Sequence, residues 1–262
     1  MIRKKKSRRF FNKKWKAIDS NFNNLCGVWD TEKLHQLRVN AKKIKALAKL
    51  YQACSTHGKS FDIKQLQELF HTAGNIRLAE LNIETLNKYG SENAALIQQQ
   101  KELIAKQSQE LCNQRNNYNK SLKTLRKRFR RNVSNVKNKA ILSYYRKNLN
   151  KLKNGFAPPI RINSLHNCRK IIKKVLYPLT VMPASLVNKM NINEKYLNEQ
   201  QDLIGKWHDA IESLQLLFNT GKKDSPLYHT LEDHKQVIFD VITRWSIDFD
   251  KKVIGVIKHG FI

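Results

Sequence analysis

His35 is followed by Arg38, Lys42, Lys45 and Lys49, a spacing that puts one imidazole and four cations on one side of an α-helix. At about 100° per residue the five fall in a stripe about 80° wide and about 21 Å long. Leu34, Leu37, Ala41, Ile44, Ala48 and Tyr51 form an apolar face on one flank. Val39, Ala46 and Leu50 lie on the other, so the cationic line is hemmed by packing surface. Cations lined up in this way repel one another, and a ligand with closely repeated negative charge removes that repulsion. Each can donate charge-assisted hydrogen bonds to phosphate oxygens, Arg in pairs and Lys as a point charge. His35 is expected in the first turn of its helix, where free backbone N–H groups also attract anions.

The pattern recurs. His166, Arg169 and Lys173 stand 131 residues after His35, Arg38 and Lys42, with Leu165, Cys168, Ile172 and Val175 as the packing face. Gly74-x-x-Arg77-x-Ala79 recurs as Gly205-x-x-His208-x-Ala210, again at an offset of 131. Two motifs at one offset predict an internal duplication. Leu176 stands where the first copy has Lys45, so the second stripe is shorter, and mutations in the first are expected to weaken binding more. A third source of charge is Lys123, Arg126, Arg130 and Lys137, which share one broad face while Leu122, Leu125, Phe129 and Val133 supply the packing.

The elements that must hold these residues are helices. Strand signals are scarce, helical periodicity is common, and the class expected is all-α. The pattern predicts helices over 10–25, from Asp30 or Thr31 to 54, and over 63–88. A helical stretch over 92–151 is expected to bend near Asn116-Asn117. Breaks are expected at Thr56-His57-Gly58, at Tyr89-Gly90-Ser91 and, most clearly, over 154–159. Beyond it come helices over 164–177, 194–218 and 227–252. The organisation expected is a flexible basic tail over 1–8, one helical half over 9–153 and a second over 160–262.

The chain of 262 residues carries 50 Lys and Arg against 21 acids, a formal net charge of +29, which points to a polyanionic partner. No carboxylate occurs between Glu110 and Glu194, a stretch with 20 Lys or Arg. Cys26, Cys54, Cys112 and Cys168 are scattered singly, so they read as reduced thiols rather than a zinc site or disulfide framework, in a cytoplasmic protein. Neither a signal peptide nor a membrane-spanning segment is expected.

His35-Gln36-Leu37-Arg38-Val39-x-x-Lys42-Lys43-x-Lys45-Ala46 resembles the signature helix of the CHAD family, the conserved histidine α-helical domain. Leu165-His166-x-x-Arg169-x-x-x-Lys173-Lys174-x-x-Tyr177 resembles its second signature, and the Gly74 and Gly205 segments its glycine turns. The resemblance implies two pseudo-symmetric four-helix bundles around a basic groove that binds inorganic polyphosphate without catalysis. Carried over, it makes His35, Arg38, Lys42, Lys45, His166, Arg169 and Lys173 phosphate contacts, joined by Arg77 and His208 in the turns. Lys49, Arg126 and Arg130 complete the expected set from charge alone. The sequence departs from the pattern with Lys at 42, 43 and 45, with Leu176 in place of a cation, and with Leu78 where an acid is usual.

The expected partner is therefore inorganic polyphosphate, with no cofactor, metal or membrane, in a cytoplasmic pool associated with polyphosphate granules. The rival is RNA or DNA bound nonspecifically through the same surface, although no aromatic platform is interleaved with the charge. A phosphohydrolase needs clustered carboxylates for metal ions, and the most basic third of the chain has none.

Overall fold

Eleven helices follow one another in the computed structural model, which describes residues 1–54, 61–88 and 93–254. They are α1 (Lys4–Leu25), α2 (Thr31–Cys54), α3 (Lys64–Lys88), α4 (Ala94–Asn113), α5 (Arg115–Asn132), α6 (Asn138–Gly155), α7 (Ile162–Leu179), α8 (Ala184–Met190), α9 (Glu194–Asn219), α10 (Pro226–Ser246) and α11 (Phe249–Val253). The all-α class holds: among the described residues the only β-pairing is two isolated bridges, Ile2 with Val136 and Ile192 with Ile254. The expected breaks at Thr56-His57-Gly58 and Tyr89-Gly90-Ser91 lie outside the described residues.

The chain divides into two compact units, and neither follows the expected boundary at 154–159. An N-terminal unit comprises Arg8–Lys45 and Ser60–Val133; a C-terminal unit comprises Met1–Ser7, Ala46–Lys59 and Ser134–Ile262. A helix that belongs to two cores shows no composition break, which is why α2 hides the division.

In the N-terminal unit α1 runs antiparallel to α5. Phe11 and Trp15 meet Phe129 edge-on at 4.9 and 5.8 Å, and Phe22 meets Tyr118 at 5.9 Å. Arg8 donates to the Arg130 carbonyl at 2.7 Å at one end, and Arg115 to Asn23 at 3.0 Å at the other. Just beyond, Cys26 and Cys112 form a disulfide. The expectation of four reduced thiols fails for this pair, because single cysteines 86 residues apart give no sign of meeting until helices align them. Disulfides persist mainly in oxidising compartments, so the cysteines no longer argue for the cytoplasm. Asp30 caps α2, accepting from the backbone N–H of Glu32 and Lys33 at 2.9 and 3.1 Å.

In the C-terminal unit α7 packs between α6 and α9, and α9 also carries α10 and α11. Tyr145 donates to the Val175 carbonyl at 2.7 Å, tying α6 to α7. The first residues are not a flexible tail. Ile2 is fully buried and exchanges two backbone hydrogen bonds of 3.0 Å with Val136, while Lys6 donates to the Met182 carbonyl at 2.7 Å. That pairing also explains why 92–151 holds three helices rather than two. The chain breaks first at Gln114 and again over 133–137, where Val136 leaves helical pairing to bond Ile2. The helix expected over 227–252 is interrupted at Asp248, whose φ of 56° is left-handed. No described helix is long and apolar enough to cross a membrane.

Candidate functional site

The predicted packing faces of the motif helices are buried: Leu34, Leu37, Ala41, Ile44, Ala48 and Tyr51 on α2, and Leu165, Cys168, Ile172 and Val175 on α7. Ala46 and Leu50, on the far flank of the α2 stripe, are buried too. Burial of these residues fixes the helix rotation, and with it the cations. His35 and His166 both sit one turn in from their helix starts, not in the first turn. Two of the free N–H groups at the start of α2, those of Glu32 and Lys33, are already taken by Asp30.

The α2 cluster lies in the N-terminal unit. Arg38 donates from Nη1 to the Phe70 carbonyl at 2.9 Å, and its guanidinium stacks 4.5 Å from the Phe70 ring centre. Lys42 Nζ stands 5.7 Å from the same ring. Gly74, one turn after Phe70, makes room for Arg38: a Cβ there would come 2.5 Å from Nη1. The His35 imidazole is held below the usual histidine range by desolvation, with Glu32 opposing and Arg77, Lys42 and Arg38 adding to the effect.

Arg77 has a different task from the one expected. Its Nη1 lies 3.1 Å from both Glu80 and Glu84. Glu80 is only 7% exposed and also accepts from Thr31 at 2.9 Å and Trp29 at 3.3 Å. A buried carboxylate needs a counter-charge, so Arg77 serves the junction between α3 and the start of α2. The acid missing at Leu78 is replaced in this pairing by Glu80 and Glu84.

The α7 cluster lies in the C-terminal unit. Arg169 lies against Gly205 of α9, where a Cβ would come 2.7 Å from Nη2. The two arginine seats therefore share the 131-residue offset of the motifs. Their surroundings differ, since Arg169 Nε is buried with no hydrogen-bond partner among the described residues. His166 Nδ1 is buried in the same condition, and its ring lies 5.0 Å from that of His208. Burial, then Lys170, His208, Arg169 and Lys173, push the His166 imidazole down to about 4. His208 Nδ1 stands 3.6 Å from Glu212, a charged contact only when the ring is protonated. Leu176 is buried and takes no part.

The other expected contacts are dispersed. Lys45 is half-buried on α2, and Lys49, which belongs to the C-terminal unit, is exposed with Nζ 3.3 Å from Gln52. Arg126 pairs with Asp19 at 3.6 Å, and the Arg130 side chain is exposed on α5. Phe70 and Lys170 were missed from the sequence. Phe70 was findable, because it precedes Gly74 by one helical turn and so shares its face. No group of three His, Cys, Asp or Glu among the described residues is arranged to hold a metal ion.

A model of the CHAD domain matches residues 11–217. Among solved structures, the CHAD domain from the plant Ricinus communis superposes with a TM-score of 0.65 over 95% of this chain and 89% of that one, at 17% identity. At that identity the likeness establishes the fold. No curated protein matches the sequence. The match spans well over half of the sequence and includes both histidine–arginine motifs: the chain belongs to the CHAD domain family.

Proposed function

We propose that this protein binds inorganic polyphosphate, without turning it over, through the α2 and α7 clusters. Buried polar nitrogens with no partner among the described residues, set among cations, carry the reading: the Arg169 Nε donor and His166 Nδ1 lie beside Lys170 and Lys173. A buried donor without an acceptor costs about 1–3 kcal/mol, and a phosphate oxygen removes that cost while offsetting the repulsion. In the α2 cluster Arg38 is already fixed by Phe70, and His35, Lys42 and Lys45 share its stripe of the helix. The residues we assign are His35, Arg38, Lys42 and Lys45 in the α2 cluster and His166, Arg169, Lys173 and His208 in the α7 cluster. Arg77 drops out because Glu80 and Glu84 engage it.

The matched arginine seats also support descent of the two halves from a duplication. Arg38 under Gly74 and Arg169 under Gly205 repeat a steric relation as well as a string of letters.

Titration of the purified chain with long-chain polyphosphate, and with RNA and DNA matched in charge, at several salt concentrations tests the proposal. Polyphosphate is expected to bind more tightly than either nucleic acid, and Arg38→Ala/Arg169→Ala to abolish that preference with helicity intact. Equal affinity for all three polymers overturns it. Release of phosphate from polyphosphate with added divalent metal overturns the non-catalytic part.

A further inference from the structure

The exposed cations of α1 and α5 are not explained by that function. Rotating α1 about its axis puts its contacts with α5 on one line: Arg8, Phe11, Trp15, Asp19 and Phe22. Arg9, Lys13 and Lys16 lie about 100–160° round from that line in one sense, and all three are exposed. On α5 the contact line is Tyr118, Arg126 and Phe129. Lys123, Lys127 and Arg130 lie about 80–140° from it in the same sense, and all three are exposed as well. In an antiparallel pair of right-handed helices, equal senses of rotation lead to the same side. The six cations therefore form two parallel rows on one face of the α1/α5 pair, entirely within the N-terminal unit.

Helix geometry gives the dimensions. Packed helices stand about 8–10 Å apart, and each row is about 10 Å long. The carboxylate at this pair is Asp19, which is engaged by Arg126. Burial raises the Asp19 carboxyl above its usual range, while Arg126 and Lys123 oppose that rise. None of the six cations forms an ion pair among the described residues. The large exposed apolar residues described on the chain, such as Phe218, Val237 and Trp245, lie outside α1 and α5.

We propose that this face is a second binding surface, distinct from the α2 and α7 clusters, for the sugar–phosphate backbone of double-stranded nucleic acid. Two rows of charge call for two rows of phosphate. A duplex presents them across a groove about 6–12 Å wide, comparable with the helix spacing, whereas a single polyphosphate thread presents one. The face has no exposed aromatic on which unpaired bases could stack, which disfavours single strands. It has no exposed large apolar residue to enter a bilayer, which disfavours a membrane. Contacts of this kind position a duplex and do not read its sequence.

Labelled duplex RNA and duplex DNA, titrated by fluorescence anisotropy at rising KCl, test the assignment on the full chain. With about four to six phosphates engaged, log K is expected to fall against log[KCl] with a slope of about −4 to −5 for both duplexes. Lys13→Gln/Lys123→Gln/Lys127→Gln is expected to flatten that slope by about 3 and weaken duplex binding roughly tenfold or more, leaving long-chain polyphosphate affinity unchanged. Arg38→Ala/Arg169→Ala is expected to do the reverse, so the two surfaces can fail separately. Undiminished duplex binding in the triple glutamine variant overturns the assignment. So does loss of duplex binding in the double arginine variant, or equal affinity for single strands of matched charge. Anionic vesicles of phosphatidylserine that bind through the same three lysines while duplexes do not also overturn it.

Discussion

Arg38 and Arg169 fill matching seats beneath Gly74 and Gly205, yet one is satisfied and the other is not. Arg38 has a carbonyl to bond and a ring to stack on, both from Phe70. Arg169 keeps a buried Nε with no acceptor among the described residues, beside a His166 Nδ1 that likewise has no hydrogen-bond partner there. The same letters thus give one guanidinium whose desolvation is offset by Phe70 and one whose Nε desolvation is not offset among the described residues. Counting cations along the sequence favoured the α2 stripe as the stronger half. Under the proposed function, the unmet Arg169 donor favours the α7 cluster, because a ligand gains more where the unbound protein bonds less.

The sharpest way to separate the two regions is covalent. The N-terminal unit has the Cys26–Cys112 bond, while Cys54 and Cys168 of the C-terminal unit are free thiols that burial raises to about 11. Cys112→Ser is expected to cost about 2–4 kcal/mol of stability, read by urea melts without reductant. Hydrogen exchange is expected to show the lost protection in α1 and α4 and not in α6, α7 or α9. Equal loss throughout contradicts the division into two compact units. Next in size, Arg169→Ala is expected to weaken polyphosphate binding on the order of tenfold to a hundredfold by calorimetry, from charged hydrogen bonds worth about 1.5–3 kcal/mol. Arg38→Ala is expected to lower binding less and thermal stability more, since it also removes the Phe70 contacts.

Much of this comparison was legible in the sequence, and the limits have physical causes. Period and apolar spacing located α2 and α7 and their buried faces, because burial on one side is what the 3.6-residue repeat records. Repetition found both arginine–glycine pairs without showing that each glycine is a seat for its arginine. Partners supplied by distant helices left no such trace. Trp29 and Thr31 reach Glu80 of α3, which within its own helix looks like a surface acid spaced to pair with Arg77, and Cys112 reaches Cys26 across 86 residues. Arg126 looked like a free member of a cationic face until Asp19 of α1 was placed beside it. The basic N-terminus looked like a tail because its anchor, the Ile2 bridge to Val136, depends on two residues.

The glycines give a subtler test than the arginines. Gly205→Ala brings a methyl to 2.7 Å from Arg169 Nη2, the far end of a flexible side chain that can swing aside. Stability is expected to change by less than about 1 kcal/mol. Polyphosphate affinity is expected to fall roughly tenfold, the equivalent of about 1.4 kcal/mol, because the guanidinium leaves its seat. Gly74→Ala presses on Arg38 at 2.5 Å, but there the Phe70 bond resists the swing, so the larger part of its cost should appear in the thermal midpoint. Identical outcomes for the two variants break the distinction between a satisfied and an unsatisfied seat.

The smallest effect is a proton. In the folded chain His166 titrates at about 4, below the value of about 6.5 it has when unfolded, so the unfolded chain binds this proton more readily between those values. Stability of the unbound protein is therefore expected to decline as pH drops from 6.5 towards 4. A phosphate beside His166 supplies the negative charge that Lys170, Lys173 and Arg169 lack, and raises the imidazole. Binding should then take up protons, and affinity should rise a few-fold as pH falls from 7 to 5. Calorimetry in buffers of different ionisation enthalpy measures that uptake directly. His166→Gln is expected to abolish most of it. His35→Gln is expected to spare it, since His35 is exposed and already has Glu32 beside it. Equal losses in the two variants would mean that the α2 and α7 clusters meet their ligand in the same electrostatic state, despite the unmet donors of α7.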